Sequence, residues 1–339
     1  MKKIIAPIFL IIIIPLVALL ARNTGSSTET VIRVGYSINS ILHAPIVIAI
    51  EKGFFNKEGI KVVPVPLQSG KEIQQALGTG AIDFGFAAVT NYFVPISVGA
   101  PIKIVAFSDL SSTKMFVRSD SGIRTFEDLK GKKIAYRQGA GIDFGMNLVF
   151  NRENIKPSDV QFVDIDRPLR LIALTEKKIV DATTISYYEI DTYAKAGAIE
   201  LPEWVEKGYD KFLVPKTVLA MNTNFSKIHT KETDEFVSAF IEAHAFIKNN
   251  TEEAAKIVSE HITKGTDGVI SPIPSEIVKS WDTEDYIPTL WQDPLILVEM
   301  ARVFADIGGI DRKLTQDEIC DSIFEGKLKE ADEIFYGNK

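Results

Sequence analysis

A pattern of strand, loop and helix occurs twice in this chain, about 100 residues apart. Val34-Gly35-Tyr36 precedes a polar loop and a helix, and Ile134-Ala135-Tyr136 precedes a glycine-rich loop and a helix. The strand predicted at 60–65 matches the one at 160–165, and the spacing stays between 97 and 100 residues over four elements. Such a repeat favours two α/β lobes of similar plan. A chance recurrence of strand, turn and helix is the alternative.

Strands and helices alternate with short joints in both halves, which predicts mostly parallel sheets covered on both faces. We expect lobe 1 to comprise residues 31–117 and 213–339, and lobe 2 residues 118–212. The chain would cross between them at the polar break 119–122 and again at Val214-Pro215-Lys216. Two crossings would form a hinge, and the helical remainder is expected to pack on lobe 1. The predicted fold class is α/β, with two lobes joined by two crossing strands.

The first 30 residues differ in composition from the rest. Lys2 and Lys3 precede an 18-residue apolar run, 4–21, which ends in a small polar stretch. A basic start, an apolar middle and a polar exit describe an export signal, and the run also approaches the length that spans a bilayer. Residues 1–30 are therefore interpreted as a signal peptide or membrane anchor plus a linker, with the remainder periplasmic or at the cell surface.

Charge and motif content exclude several classes of function. Of the 38 Lys and Arg residues, Lys2 and Lys3 fall in the export signal, which leaves 36 against 45 Asp and Glu and disfavours nucleic acid as a partner. One cysteine excludes an intrachain disulfide, and four widely spaced histidines argue against a transition-metal centre. The sequence contains no Walker loop, His-Glu-x-x-His or Gly-x-Ser-x-Gly. We expect no metal, no cofactor and no enzymatic activity.

In open α/β sheets, ligands bind beyond the carboxyl ends of the strands, near helix N-termini whose N–H groups attract acceptors and anions. Four loops occupy this position, at 37–43, 88–91, 137–143 and 184–188. If the two lobes face each other, all four loops can point into one cleft. They would offer hydroxyls, amides, a histidine, an arginine and two tyrosines to a ligand.

Each candidate in the first lobe has a structural alternative. Ser37 and Asn39 either contact a ligand or cap the helix that follows, and the same holds for Thr90 and Asn91. His43 either contacts the ligand or bonds to nearby backbone.

The candidates in the second lobe are interpreted in the same way. Arg137 ends a strand on the cleft side and pairs either with an anion or with a carboxylate across the lobes. Arg167 and Arg170 are expected to face solvent. Of Tyr187 and Tyr188, one is expected to pack in the core and the other to contact a ligand.

The loop 139–145 is glycine-rich, follows a strand and opens a helix, as in a dinucleotide fold, and Asp164 ends the next strand. Its spacing departs from that fingerprint by one residue. The glycines more simply let backbone N–H groups approach a small ligand.

Several short segments together resemble the solute-binding proteins of ABC importers, in the group for sulfonate, nitrate, taurine and thiamine precursors. They are HAP at 43–45, EKGFF at 51–55, EGI at 58–60, ALGTGAIDFG at 76–85, FEDLKGKKI at 126–134 and VDA at 180–182. The resemblance covers residues 31–250 and is specific as a combination, although each segment is short.

The resemblance implies a type II periplasmic-binding-protein fold whose lobes close on a ligand. It also implies a monomer that works with a membrane permease and its ATPase. A related enzyme branch, the pyrimidine synthases of thiamine biosynthesis, uses a cysteine-rich segment that Cys320 alone cannot supply. Carried over by position, the residues that would line the cleft are Ser37, Asn39, His43, Thr90, Asn91, Gly139, Gly141, Ser186 and Tyr187.

The sequence therefore predicts an exported receptor that captures a small polar or anionic solute and presents it to a permease. An aliphatic sulfonate, taurine or nitrate suits helix N-termini and Arg137, and we favour this class. A pyrimidine suits the tyrosines and His43. An enzyme on the same fold, such as a lyase or synthase, and a membrane-anchored sensor are the alternatives of other classes.

Overall fold

Two sheets of five strands and one sheet of three organise the part of the chain that the structure describes. The computed structural model describes residues 30–38, 40–137, 141–282, 286–290 and 294–323. The strands are β1 (Val31–Ser37), β2 (Lys61–Leu67), β3 (Phe84–Ala88), β4 (Ile102–Phe107), β5 (Asp109–Ser111), β6 (Thr113–Arg118), β7 (Lys133–Tyr136), β8 (Gln161–Asp164), β9 (Ala182–Ser186), β10 (Ala198–Glu200), β11 (Val214–Pro215), β12 (Thr217–Asn222) and β13 (Tyr286–Pro288).

The helices lie between and after these strands, and short 3-10 turns at Ile41–His43, Arg167–Leu169 and Tyr187–Glu189 precede three of them. They are α1 (Ala44–Glu51), α2 (Phe54–Lys57), α3 (Gly70–Thr79), α4 (Thr90–Ser97), α5 (Gly141–Arg152), α6 (Arg170–Thr175), α7 (Ile190–Lys195), α8 (Pro202–Glu206), α9 (Thr223–Ile228), α10 (Thr230–Asn249), α11 (Thr251–Gly265), α12 (Pro274–Trp281), α13 (Pro294–Asp306) and α14 (Gln316–Asp321).

The two five-stranded sheets have the same construction. In the first, with order β2-β1-β3-β12-β4, β1 pairs in parallel with β2 and β3, and β12 runs antiparallel between β3 and β4. In the second, with order β8-β7-β9-β6-β10, β7 pairs in parallel with β8 and β9, and β6 runs antiparallel between β9 and β10. The predicted repeat is therefore confirmed strand by strand.

A carboxylate that accepts a backbone N–H marks the same position in each repeat. In the first sheet, Asp83 precedes β3 and accepts a bond from the backbone N–H of Arg33 at 2.8 Å, while the Arg33 guanidinium bonds to both carboxylate oxygens. In the second, Asp181 precedes β9 and accepts from the backbone N–H of Lys133 at 3.0 Å. Both carboxylates thus join the first strand of a lobe to its third strand.

The chain passes between the sheets through a short antiparallel pair. Ser111 in β5 lies opposite Val214 in β11, and β13 pairs with the other edge of β5. Since β6 already belongs to the second sheet, the first passage lies at Ser108–Ser112, ahead of the boundary expected after residue 117. The lobe limits 31–117, 118–212 and 213–339 remain predictions. In the structure, Thr113–Arg118 pairs with strands of the second sheet.

Apolar side chains fill both faces of each sheet. One cluster joins β1, β3 and α1 to α10 and α11, where the rings of Phe84 and Phe236 stack with centroids 3.9 Å apart. A second cluster joins α3, α4 and β4 to α13 and α14, and it also includes Phe144 and Leu148 of α5. As predicted, the helical remainder packs on the first sheet, because helices with an apolar stripe must bury it against another element. Two further clusters cover the second sheet.

The signal peptide or anchor predicted for residues 1–30 lies outside the described residues, Thr30 excepted. Within the described ranges, no helix has the length and apolar character needed to cross a membrane.

The duplicated carboxylates provide a matched stability test. The Asp83 side chain is 4% exposed and that of Asp181 is 24% exposed. We expect Asp83→Ala to lower the free energy of unfolding by about 2–3 kcal/mol, because it leaves the Arg33 N–H buried without its acceptor. Water can reach the equivalent site, so Asp181→Ala should cost about 1 kcal/mol. Urea denaturation of both variants measures the difference, and equal losses would contradict the argument.

Candidate functional site

A cleft lies between the carboxyl ends of the parallel strands, and the crossing strands form part of its wall. It consists of two adjoining cavities of about 330 and 560 Å³, which share Leu42, Ala88, Arg137 and Thr217. We call the smaller one the hinge cavity; it is lined by Leu42, Ala88, Ser111, Ser112, Arg137, Asp166, Arg167, Pro168, Arg170, Ser186, Tyr187, Lys216 and Thr217. The larger cavity also contacts Ser37, Ser40, His43, Ser69, Gly70, Lys71, Ala87, Asn91 and Asp164.

The loop after the first strand of each lobe is closed by the same contact. In lobe 1 the backbone N–H of Ser37 donates to Nδ1 of His43 at 2.8 Å. In lobe 2 the N–H of Arg137 donates to Oδ2 of Asp143 at 2.7 Å. Both bonds span six residues and stand 100 residues apart, so His43 and Asp143 are equivalent positions of the repeat. A side-chain acceptor in this place satisfies a backbone donor that the sheet leaves unpaired.

His43 has a structural role in the loop that it closes. Its ring is 5% exposed and meets the edge of Phe86 at 4.9 Å between centroids. Burial lowers the pKa of His43 to about 3, so the imidazole is neutral. Because Nδ1 accepts the Ser37 N–H, the ring proton belongs to Nε2. Of the two alternatives for His43, the backbone bond is confirmed, and contact with a ligand through the larger cavity remains a prediction.

The equivalent position in lobe 2 has the opposite chemistry. Asp143 is 1% exposed and accepts from both terminal nitrogens of Arg170 at 2.7 Å. Thr184, which corresponds to Phe86, donates its hydroxyl to the same carboxylate. Arg170 is itself 1% exposed, so the expectation that it faces solvent is wrong. A bidentate carboxylate partner is what permits a guanidinium to be buried there.

Arg137 and Arg167 reach the hinge cavity while paired with carboxylates. Arg137 forms ion pairs with Asp164 at 3.4 Å and with Asp166, both in lobe 2, so the alternative of a bridge across the lobes is wrong. Arg167 donates to the Ser186 hydroxyl at 2.9 Å and to Glu189 at 2.7 Å. The Arg167 side chain is 39% exposed and lines the hinge cavity. The expectation that it faces solvent alone did not include this position.

The crossing strands contribute charged residues that the sequence analysis did not select. Lys216 follows β11, is 7% exposed, and donates to the hydroxyl of Thr113 at 2.6 Å. Burial lowers the pKa of Lys216 to about 8. Asp109 is fully buried and accepts from the hydroxyls of Thr217 and Ser111, and burial raises its pKa to about 6. The available signal was a single charged residue in each otherwise uncharged crossing segment, Asp109 in 108–112 and Lys216 after Val214-Pro215.

The other predicted site residues are distributed around the cleft. Asn91 lines the larger cavity and donates to the Ala88 carbonyl at 3.2 Å, whereas Thr90 is 1% exposed at the start of α4. Ser186 and Tyr187 both line the hinge cavity, and the backbone N–H of Ser186 donates to Glu189 at 2.9 Å. Neither Thr90 nor Asn91 acts as a side-chain helix cap, because Val89 occupies the cap position of α4.

The glycine loop of lobe 2 falls mostly outside the described residues, as does one candidate of lobe 1. Asn39 and Gly139 are not among the described residues, and Gly141 is the first residue of α5. Within the described ranges, no group of three or more His, Cys, Asp or Glu side chains is placed to hold a metal ion.

Comparison with known proteins identifies a family model and several relatives. A family model described as NMT1/THI5 like matches residues 40–254. The chain is 29% identical over 228 residues to a "putative binding protein" of Brucella abortus, covering 67% of this chain and 64% of that one. It is 28% identical over 262 residues to a "putative aliphatic sulfonates-binding protein" of Bacillus subtilis, covering 72% and 77%. A 96-residue stretch, 28% of each chain, is 34% identical to 4-amino-5-hydroxymethyl-2-methylpyrimidine phosphate synthase of Aspergillus parasiticus.

The fold is shared with a solved periplasmic aliphatic sulphonate-binding protein from Escherichia coli. The TM-score is 0.67 at 18% sequence identity, over 87% of this chain and 92% of that one. The predicted type II periplasmic-binding fold is thereby confirmed. The match to the Brucella protein spans 64% of the length of that protein.

The buried, neutral His43 predicts acid sensitivity. An unfolded histidine binds a proton near pH 6.5, whereas folded His43 does so only near pH 3. Stability from this group is therefore present above pH 6.5 and is lost as the pH falls toward 3. Between pH 7 and pH 5 it should contribute a loss of about 2 kcal/mol. His43→Gln, whose amide oxygen can accept the Ser37 N–H, should remove that loss.

Urea denaturation at pH 7 and pH 5 measures this effect. His229→Gln, at the start of α10, is the control and should retain the wild-type difference between the two pH values. A His43→Gln variant with the full wild-type acid loss would contradict the role of His43.

Proposed function

Because this chain belongs to the NMT1/THI5-like family, we propose that it is the extracytoplasmic solute-binding component of an ABC importer. It captures a small anionic solute of the sulfonate, taurine or nitrate type between its two lobes and delivers it to a membrane permease. It acts as a monomer and does not transform the solute. The relatives described as binding proteins support this reading over an enzymatic one.

The charge of the hinge cavity is the observation that supports an anion most directly. Four cationic side chains line it, namely Arg137, Arg167, Arg170 and Lys216, and among the described residues of the lining Asp166 is the acidic one. A concave lining with more cationic than acidic side chains attracts ligands of negative charge. The Ser186 hydroxyl in the same lining accepts from Arg167, which leaves its own proton for an oxyanion.

The size of the cavity is consistent with a small solute. A volume of about 330 Å³ lies at the lower end of the range for ligand pockets. The two halves of the lining come from different lobes, so a change in the angle between lobes would alter the fit. Closure about the strand pair β5 and β11 would remove a bound solute from water and form the surface that a permease recognises.

A thiamine-precursor pyrimidine is the second candidate, and two observations favour it. Tyr187, 5% exposed, lines the hinge cavity and provides an aromatic surface for a planar ring. The partial match to a pyrimidine phosphate synthase points in the same direction. The excess of cations in the lining gives a neutral pyrimidine no charged partner, so we rank it second.

Binding to a defined set of solutes tests the proposal. Calorimetric titration of the purified protein with ethanesulfonate, taurine, nitrate and 4-amino-5-hydroxymethyl-2-methylpyrimidine should show at least one anion bound about tenfold tighter than the pyrimidine. X-ray scattering should show a smaller radius of gyration with the bound anion. Mass spectrometry should recover that anion unchanged. Tighter binding of the pyrimidine would establish the second candidate, and turnover would establish an enzyme.

Arg137 gives a separate prediction within this proposal. Arg137→Ala should weaken binding of the preferred anion by about 1.5–3 kcal/mol if its guanidinium contacts the solute. Arg118→Ala is a matched control, because Arg118 also pairs with two lobe 2 carboxylates, Asp120 and Asp181, but does not line the described cavities. Calorimetric affinity equal in both variants would reject the contact and leave Arg137 a structural ion pair.

A further inference from the structure

Lys216 occupies a fixed position at the junction of the two lobes. Its backbone N–H donates to the carbonyl of Asp109 at 3.3 Å, and its carbonyl accepts from the N–H of Val89 at 2.9 Å. The side chain runs toward lobe 2, where Nζ donates to the Thr113 hydroxyl. A Cβ built on Gly145 of α5 would lie 2.9 Å from Nζ, so the ammonium is packed against that helix. The lysine thus joins both crossing segments to the hinge cavity.

The ammonium is buried without a carboxylate in direct contact. Within the described residues, Lys216 forms no ion pair within 4 Å, and its one hydrogen bond from Nζ goes to a neutral hydroxyl. Two carboxylates act on Lys216 from beyond contact distance and partly offset the lowering of its pKa by burial: Asp109, which accepts from the Thr217 and Ser111 hydroxyls, and Asp143, which is held by Arg170. An ammonium has three donors, and a buried charge is ordinarily paired.

The other cations of the cavity differ from Lys216 in this respect. Arg170 has Asp143, Arg167 has Glu189, and Arg137 has Asp166 and Asp164. These pairs are complete before any solute enters. An incoming anion gains most binding free energy from a cation that folding has already removed from water and that no carboxylate contacts.

We propose that Lys216 supplies the counter-charge for the anionic group of the solute and is the main determinant of anion specificity. This inference rests on the proposed function and assigns the chemical class more narrowly: a compact, permanently ionised oxyanion such as a sulfonate or nitrate. The Ser186 hydroxyl lies in the same lining and accepts from Arg167, so its own proton can be donated to one of the remaining oxygens. A neutral heterocycle would leave the buried charge uncompensated.

The titration of Lys216 provides a test that needs no variant. Burial lowers its pKa to about 8, so the free protein carries the charge at pH 7 and loses it at pH 9. The charged groups that face it are Asp109 and Asp143, with Arg170 on the latter, and Arg137 and Arg167 share the cavity. The pKa of Asp109 is raised only to about 6, and arginines stay charged up to pH 12. A sulfonate does not titrate in this range either.

The experiment is calorimetric titration with ethanesulfonate at pH 7 and pH 9. Wild-type affinity should fall about tenfold between the two values, because about a tenth of Lys216 is protonated at pH 9. Lys216→Arg, which keeps its charge, should show the same affinity at both. Lys216→Met should reduce affinity at pH 7 by about 10- to 100-fold. Its thermal midpoint without solute should not exceed that of wild type, because the variant leaves the buried Asp109 without the charge of Lys216.

Lys114→Met is the control for loss of a buried lysine. Lys114 is 3% exposed, but its Nζ donates to the Asp210 carbonyl and does not line the hinge cavity. This variant should bind ethanesulfonate with wild-type affinity. Wild-type affinity that is equal at pH 7 and pH 9, or Lys216→Met affinity within about threefold of wild type, would overturn the role of Lys216 and leave the proposed function standing. Wild-type protein that binds no anion of the set would overturn both.

Discussion

The antiparallel pairing of the two crossing segments is the constraint on which the rest of the molecule depends. Two short strands, β5 and β11, place Ser111 opposite Val214 and Leu110 opposite Pro215. The bonds from Ser108 N–H to the Thr217 carbonyl and from Lys216 N–H to the Asp109 carbonyl continue the pairing on the side of the first sheet. Because a strand register shifted by one residue turns each side chain to the other face, this pairing decides which residues meet the cavity.

The fold also shows how one scaffold position acquires two different chemistries. His43 and Asp143 each close the loop after the first strand of a lobe, with the same sequence separation to the backbone donor. In lobe 1 the acceptor is a neutral ring packed on Phe86, which needs no charge compensation. In lobe 2 the acceptor is a carboxylate, which also accepts hydrogen bonds from Arg170 and Thr184. The basic wall of the hinge cavity therefore comes from lobe 2 and the crossing strands, while Lys71 of lobe 1 lines the larger cavity.

Stability and binding place opposite demands on the buried charges of the cleft. Arg170 with Asp143 is a complete pair, so its geometry holds the loop whether or not a solute is bound. Lys216 has a hydroxyl partner alone, and its burial is a cost to the empty protein. In the proposed function that cost is offset when an anion arrives. A site of this kind favours the liganded state more strongly than one whose cations are already neutralised.

The order of strands and helices and the duplication could be predicted from the sequence, because they follow from local periodicity. Apolar residues repeat with the period of a strand or a helix, and this pattern is legible along the chain. The same reasoning located the cleft loops and selected Ser186, Tyr187, His43 and Asn91, all of which line the cavities. The partners of Arg137 and Arg170 were not predictable, since each ion pair joins residues 27 to 29 positions apart on different elements.

What the sequence by itself determined is the duplicated α/β plan and the end of each sheet at which a ligand would bind. The tertiary structure alone decided which buried cations contact a carboxylate and which one does not. Lys216 and Asp109 stand 107 residues apart and become neighbours only through the pairing of the crossing strands. Burial and ion pairing depend on the folded arrangement. The free energy of ionising a side chain is therefore set by the tertiary structure and cannot be derived from the local sequence.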